Sequence, residues 1–154
     1  LLARLAPDLG VLSPRPSSPA DFGMDATLDL LTAARIPIFG VCLGLQGIVE
    51  YFGGRLGRLS VPTHGKPSRI RILVPDLLFE GLPEQITIGR YHSLFAAELP
   101  DCLEATAVDE AGIVMALRHR EQPIRAVQFH PESLLSLQDE AGPRMIANLC
   151  RGLG

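Results

Sequence analysis

One junction constrains this chain more than any other feature. Ile36-Pro-Ile-Phe-Gly-Val41 is a continuous apolar run, and it passes without a linker into Cys42-Leu-Gly-Leu-Gln46. A strand apolar on both sides must be covered on both faces, as inside a parallel sheet with flanking helices. Leu43 to Phe52 then reads as a helix, stopped by Gly53-Gly54. Upstream, Asp8 to Ser13 reads as a short buried strand. Asp25 to Arg35 carries apolar residues at 28, 30, 31 and 34, a helical spacing that closes before Pro37. Between them, Pro14, Pro16 and Pro19 hold a stiff, extended loop.

The second half has a different rhythm. Arg69 to Val74, Ile86 to Tyr91, Glu104 to Asp109, Ile113 to Arg118 and Ile124 to Phe129 read as short strands parted by turn residues. An amphipathic helix from about Pro143 to Leu149 follows and ends at Gly152. The expected fold is α/β: an open, mostly parallel sheet with flanking helices and an antiparallel, strand-rich second half, in one domain over 1–154. With 154 residues, 47% of them hydrophobic, the chain can build a core. Its 14 basic and 17 acidic residues form no runs, which argues against an electrostatic nucleic-acid footprint. The longest uncharged apolar stretch, Ile36 to Val49, is too short and too glycine-rich to span a bilayer.

Three cysteines, Cys42, Cys102 and Cys150, show neither zinc spacing nor an even disulfide count. They read as reduced thiols, and with no secretory pattern in the opening residues a cytoplasmic location is expected. Cys102 and Cys150 are expected only to fill space. Because the chain starts at Leu1 and reaches a strand-like run within a dozen residues, it reads as a piece of a longer or fused protein.

Two segments carry chemistry. In Phe39-Gly-Val-Cys42-Leu-Gly-Leu-Gln46, small neighbours allow a strained strand-to-helix turn that lifts the thiol out at the strand's end. There the free N–H groups and dipole of the helix favour a thiolate and can face an oxyanion. The bland alternative is a buried cysteine between two packing glycines. In Gln128-Phe-His130-Pro-Glu132-Ser133, the proline biases His130 toward extended backbone, so Glu132 falls on the same side as the imidazole. A carboxylate there would hold the tautomer of a base suited to proton exchange with a thiol. Together the segments describe a Cys/His/Glu acyl-transfer site at the carboxyl edge of a sheet. His92 is expected merely to pack nearby, and His119, in the charged turn Arg118 to Glu121, to lie in solvent.

Gly40-Val-Cys-Leu-Gly-Leu-Gln46 and Gln128-Phe-His-Pro-Glu-Ser133 resemble the two signatures of class I glutamine amidotransferases. Val61-Pro-Thr-His-Gly-Lys66, Arg90-Tyr-His-Ser-Leu94 and the Val11 to Phe22 segment look like the amidotransferase component of anthranilate synthase, and the run Gly44 to Gly54 looks most like the version fused behind the chorismate-using subunit. The resemblance implies Cys42 as nucleophile, His130 as base and Glu132 as its orienter. It implies that Gln46 touches the bound glutamine, that Ser93 and Leu94 hold it through the backbone, and that the Leu43 N–H is one oxyanion donor. It also implies a synthase partner met by the His64-Gly65-Lys66 loop (or else a plain polar turn). The glutaminase half-reaction would need no cofactor, with magnesium on the partner, and the family's opening strand would be missing here. Relatives making aminodeoxychorismate or a phenazine precursor share the motifs.

The chain departs from the resemblance at one loop. The family's Ser-Pro-Gly-Pro-Gly-x-Pro is here Ser13-Pro-Arg15-Pro16-Ser17-Ser18-Pro19. Pro16 and Ser17 would lie against the substrate, and the Ser17 N–H would be the second oxyanion donor. A serine forced to positive φ costs roughly 1–2 kcal/mol, and a displaced donor about 10²–10³ in rate. The rival reading is an amidotransferase-fold module that braces or regulates a synthase without catalysis. A cysteine peptidase fits less well, since Gln46 and Ser93-Leu94 suit a small amino acid.

Overall fold

Strand β2 (Ile38–Val41) is buried along its whole length and sits between two parallel neighbours, β1 (Gly10–Leu12) and β7 (Ile124–Val127). The computed structural model describes residues 2–13, 23–137 and 140–153. The remaining strands are β3 (Arg55–Ile72), β4 (Gln85–Glu98), β5 (Leu103–Asp109) and β6 (Val114–His119). Together they make one seven-stranded mixed sheet in the order β1-β2-β7-β6-β5-β3-β4. Parallel pairing is confined to β1, β2 and β7; every later pairing is antiparallel.

Alternation along β2 sorts the core into two halves. Ile38 joins Leu28 and Leu31 of helix α2 (Met24–Ala33) and Leu45 and Ile48 of helix α3 (Leu43–Tyr51) on one face. Phe39 and Val41 join Met115, Phe129 and, from helix α4 (Ala141–Arg151), Met145 and Leu149 on the other. A four-residue helix, α1 (Leu2–Leu5), precedes β1. Both expected helices around β2 and the closing helix are present, α4 beginning two residues before Pro143. Among the described residues, no helix is long and apolar enough to cross a membrane.

The largest difference from expectation is the ribbon of β3 and β4. Arg55–Ile72 is a single strand where only its last residues, from Arg69, read as one. Gly57, Pro62, Gly65 and Pro67 resemble punctuation, yet over Arg55–Arg69 the strand pairs, among the described residues, with β4 alone, and the register skips between Arg58 and Thr63 and again between His64 and Lys66. Such irregularities accommodate proline and glycine in a strand. His64-Gly65-Lys66 is therefore an exposed bulge, not a loop, with Gly65 at φ 61°.

Candidate active site

The parallel pairing of β2 with β7 sets Val41 opposite Val127, so both chains leave the sheet at the same edge. Cys42 follows immediately, its N–H donating to the Val127 carbonyl at 2.8 Å. It has φ 53° and ψ −99° and opens α3 as its N-terminal cap. A positive φ in a non-glycine residue stores strain that the surrounding packing must hold, about 1–3 kcal/mol. The packing does so through the flanking glycines. A Cβ on Gly40 would lie 2.8 Å from the Gly44 backbone and 2.9 Å from Ile48, and one on Gly44 would run into the Leu12 carbonyl. The Gly-x-Cys-x-Gly spacing thus follows from α3 crossing directly over β1 and β2.

The Cys42 thiol is buried and faces the Tyr91 carbonyl at 3.9 Å, while Gln128 Nε2 donates to it at 3.6 Å. Burial pushes the thiol up to about 11, against the hydrogen bond from the Leu43 N–H, which lowers it; the Glu132 charge raises it and the Gln128 amide lowers it. The helix N-terminus acts in the expected direction, but desolvation outweighs it. Cys42 accordingly rests as a thiol.

His130 lies beyond β7, with its Nδ1 2.7 Å from Glu132 Oε1. The pair forms across a turn closed by the Ser133 N–H on the His130 carbonyl, a tighter geometry than the extended segment expected from sequence. Ser136 Oγ donates to the same carbonyl at 2.6 Å, and the His130 N–H donates to Gly89 O at 3.2 Å. The Tyr91 ring stands edge-on to the imidazole, with centroids 5.3 Å apart. Tyr91 is thus the common neighbour of Cys42 and His130.

Gln46 is buried, and its Nε2 donates to the Leu94 carbonyl at 3.2 Å and approaches Gln128 Oε1 at 3.4 Å. Gln46, Leu94 and Cys42 therefore meet in one place, with Ser93 half-buried beside them. Arg15, Pro16 and Ser17 lie outside the described residues. The sequence reading missed two contributors. Gln128 touches the sulfur, and His92 is buried, with Nδ1 2.8 Å from Leu94 O and Nε2 accepting from Arg90 Nε at 3.0 Å. Gln128 lies within the second motif, so its position was a signal, but its partner across the sheet was not.

Two minor expectations are corrected. His119 is buried, because its Nδ1 accepts the Glu121 and Gln122 N–H groups at 3.1 and 3.0 Å and its ring rests on Phe52. Cys150 is exposed on α4 and fills no space, while Cys102 is half-buried; neither they nor Cys42 are disulfide-bonded.

A family model described as glutamine amidotransferase class-I matches residues 2–150. Anthranilate synthase of Azospirillum brasilense is 53% identical over 150 residues, 96% of this chain and 20% of that protein. Aminodeoxychorismate synthase of Streptomyces griseus is 50% identical over 141 residues, 90% of this chain and 19% of that protein. The chain therefore spans about a fifth of the length of these two relatives. Anthranilate synthase component II of Haloarcula marismortui is 42% identical over 153 residues, 97% of this chain and 77% of that protein. The crystal structure of a glutamine amidotransferase from Thermotoga maritima matches with a TM-score of 0.73 over 95% of this chain and 74% of its own, at 14% identity, a likeness of fold.

Proposed function

The chain belongs to the class-I glutamine amidotransferase family, and on that premise we propose that it cleaves the side-chain amide of glutamine at Cys42 and passes the ammonia to a chorismate-using synthase. The carrying observation is that Tyr91 brings the Cys42 thiol and the His130–Glu132 pair to one edge of the sheet. With Nδ1–H given to Glu132, the Nε2 of His130 is left to accept a proton. Because the resting sulfur is protonated, that proton leaves Cys42 for His130 as the carbon–sulfur bond forms. The Leu43 N–H, at the start of α3, is the donor we assign to the tetrahedral oxyanion. His130 then protonates the departing ammonia and activates the water that releases glutamate from the thioester.

We place anthranilate first among the products, because the relatives at 53% and 42% identity are an anthranilate synthase and an anthranilate synthase component II. The 50% identity to an aminodeoxychorismate synthase supports that product as the alternative. Cys42, His130 and Glu132 carry the half-reaction, and magnesium belongs to the chorismate site of the synthase. The exposed His64-Gly65-Lys66 bulge, with His64 paired to Tyr91, is the surface we assign to that partner.

A glutamine-analogue electrophile tests the reading. It should alkylate Cys42 slowly and site-specifically, and Cys42→Ser should abolish the label. No labelling with the synthase present would favour the bracing module. Product analysis with chorismate and glutamine then separates anthranilate from aminodeoxychorismate.

A further inference from the structure

A line of buried hydrogen bonds beside Cys42 has its direction fixed at one end. The Leu94 carbonyl can only accept, and it meets His92 Nδ1 at 2.8 Å and Gln46 Nε2 at 3.2 Å. The Gln46 amide must therefore turn its nitrogen toward Leu94, and that same nitrogen lies 3.4 Å from Gln128 Oε1. With its oxygen so occupied, Gln128 can present only its NH2 to Cys42 Sγ, 3.6 Å away. The His92 ring is oriented independently. Its Nε2 accepts from Arg90 Nε, and Arg90 Nη1 donates to Asp109 Oδ2 at 2.7 Å. Gln128 is 0% exposed and Gln46 4%, so neither amide has bulk water as a competing partner.

We propose that Gln128 is a catalytic residue of this site, its side-chain N–H holding the Cys42 sulfur while that sulfur is a thiolate. The proposal rests on Cys42 being the nucleophile. When the S–H bond breaks and the proton passes to His130, the sulfur gains charge and the N–H···S contact becomes charge-assisted. Once the carbon–sulfur bond of the thioester forms, the sulfur is neutral and the contact relaxes. It strengthens again when water displaces the thiolate. Among the described residues, the other titratable or charged groups around the sulfur are His130 and Glu132 after β7, and Arg90, Tyr91 and His92 on β4, with Asp109 on β5 behind Arg90.

The test is alkylation of Cys42 by iodoacetamide in the full-length protein without glutamine, read by peptide mass at fixed pH between about 7 and 9. A lost bond to the thiolate raises its pKa by about one unit, partly offset by higher intrinsic nucleophilicity. Gln128→Leu should then react about threefold more slowly, with kcat falling about tenfold and KM for glutamine within about twofold. A folded Gln128→Leu protein that alkylates at the wild-type rate overturns the proposal. Should that variant not fold, Gln128→Met serves: it keeps the length of the side chain but has no N–H to give, and alkylation should slow to the same extent. An unchanged rate there also overturns it. Wild-type Cys42 inert to the glutamine analogue would sink the amidotransferase reading. A reactive wild type with equally reactive variants removes Gln128 alone.

Discussion

Tyr91 and His130 meet at right angles: their ring centroids are 5.3 Å apart and their planes 80° apart, while the Tyr91 carbonyl faces Cys42 Sγ at 3.9 Å. Tyr91 is 38% exposed, so its position is an arrangement of the site and not of the deep core. Edge-to-face packing is worth about 0.5–1.5 kcal/mol, which corresponds to roughly two- to tenfold in rate if it holds the imidazole in place. Tyr91→Ala should lower kcat/KM for glutamine within that range, and Tyr91→Phe, which keeps the edge, should stay within about twofold. Equal losses in both variants would assign the effect to the hydroxyl instead.

The glycines of α3 differ in what they protect. A Cβ on Gly44 strikes the backbone carbonyl of Leu12, which cannot move without shifting β1. A Cβ on Gly47 comes within 2.7 Å of Met24 Cγ, part of a flexible side chain. Gly44→Ala should destabilise by about 1–3 kcal/mol. Gly47→Ala gains helix propensity of about 0.5–1 kcal/mol and should stay within about 1 kcal/mol of wild type. Urea unfolding of both variants decides this, and similar losses would mean that the Met24 side chain is as unyielding as the backbone.

A buried neutral histidine makes stability depend on pH. Burial drives His92 down from 6.5 to about 4, and the neighbouring Arg90 charge adds to this against the hydrogen bond to Leu94. The unfolded chain therefore takes up a proton at His92 before the folded one does. Its contribution is complete above about 6.5 and is lost as pH falls toward about 4. His92→Gln should remove that component, so the wild-type minus variant difference in unfolding free energy should shrink between pH 6.5 and 4. Parallel curves for the two proteins would contradict it.

The legible part of this molecule is the part written in contiguous residues. The β2–α3 elbow, the His130–Glu132 pair and the helices around them depend on neighbours within a turn or a strand, so spacing and residue type suffice. The ribbon was hidden because Pro62, Gly65 and Pro67 break local strand patterns, and only the partner strand β4 reveals that register skips absorb them. The Gln46–Gln128 contact joins residues 82 apart in the chain, and nothing near either predicts it. His119 illustrates the same limit: its charged neighbours suggest solvent, but two backbone N–H groups turn its ring inward.

Glu132 acts on two groups with opposite consequences. It holds His130 Nδ1 at 2.7 Å, while its charge raises the Cys42 thiol. Glu132→Gln removes the charge but leaves a neutral amide that secures the imidazole tautomer less firmly. The thiolate fraction of Cys42 at a given pH should therefore rise, although burial, its largest cause, still keeps the thiol high. Glutamine hydrolysis should nevertheless fall, by roughly tenfold or more, because the base is no longer held with its free nitrogen ready to accept. Iodoacetamide reactivity and glutaminase rate, measured on the same preparation, should move in opposite directions. A fall in both would show that Glu132 serves the thiol through the fold, and a rise in both would mean that His130 needs no orienting carboxylate.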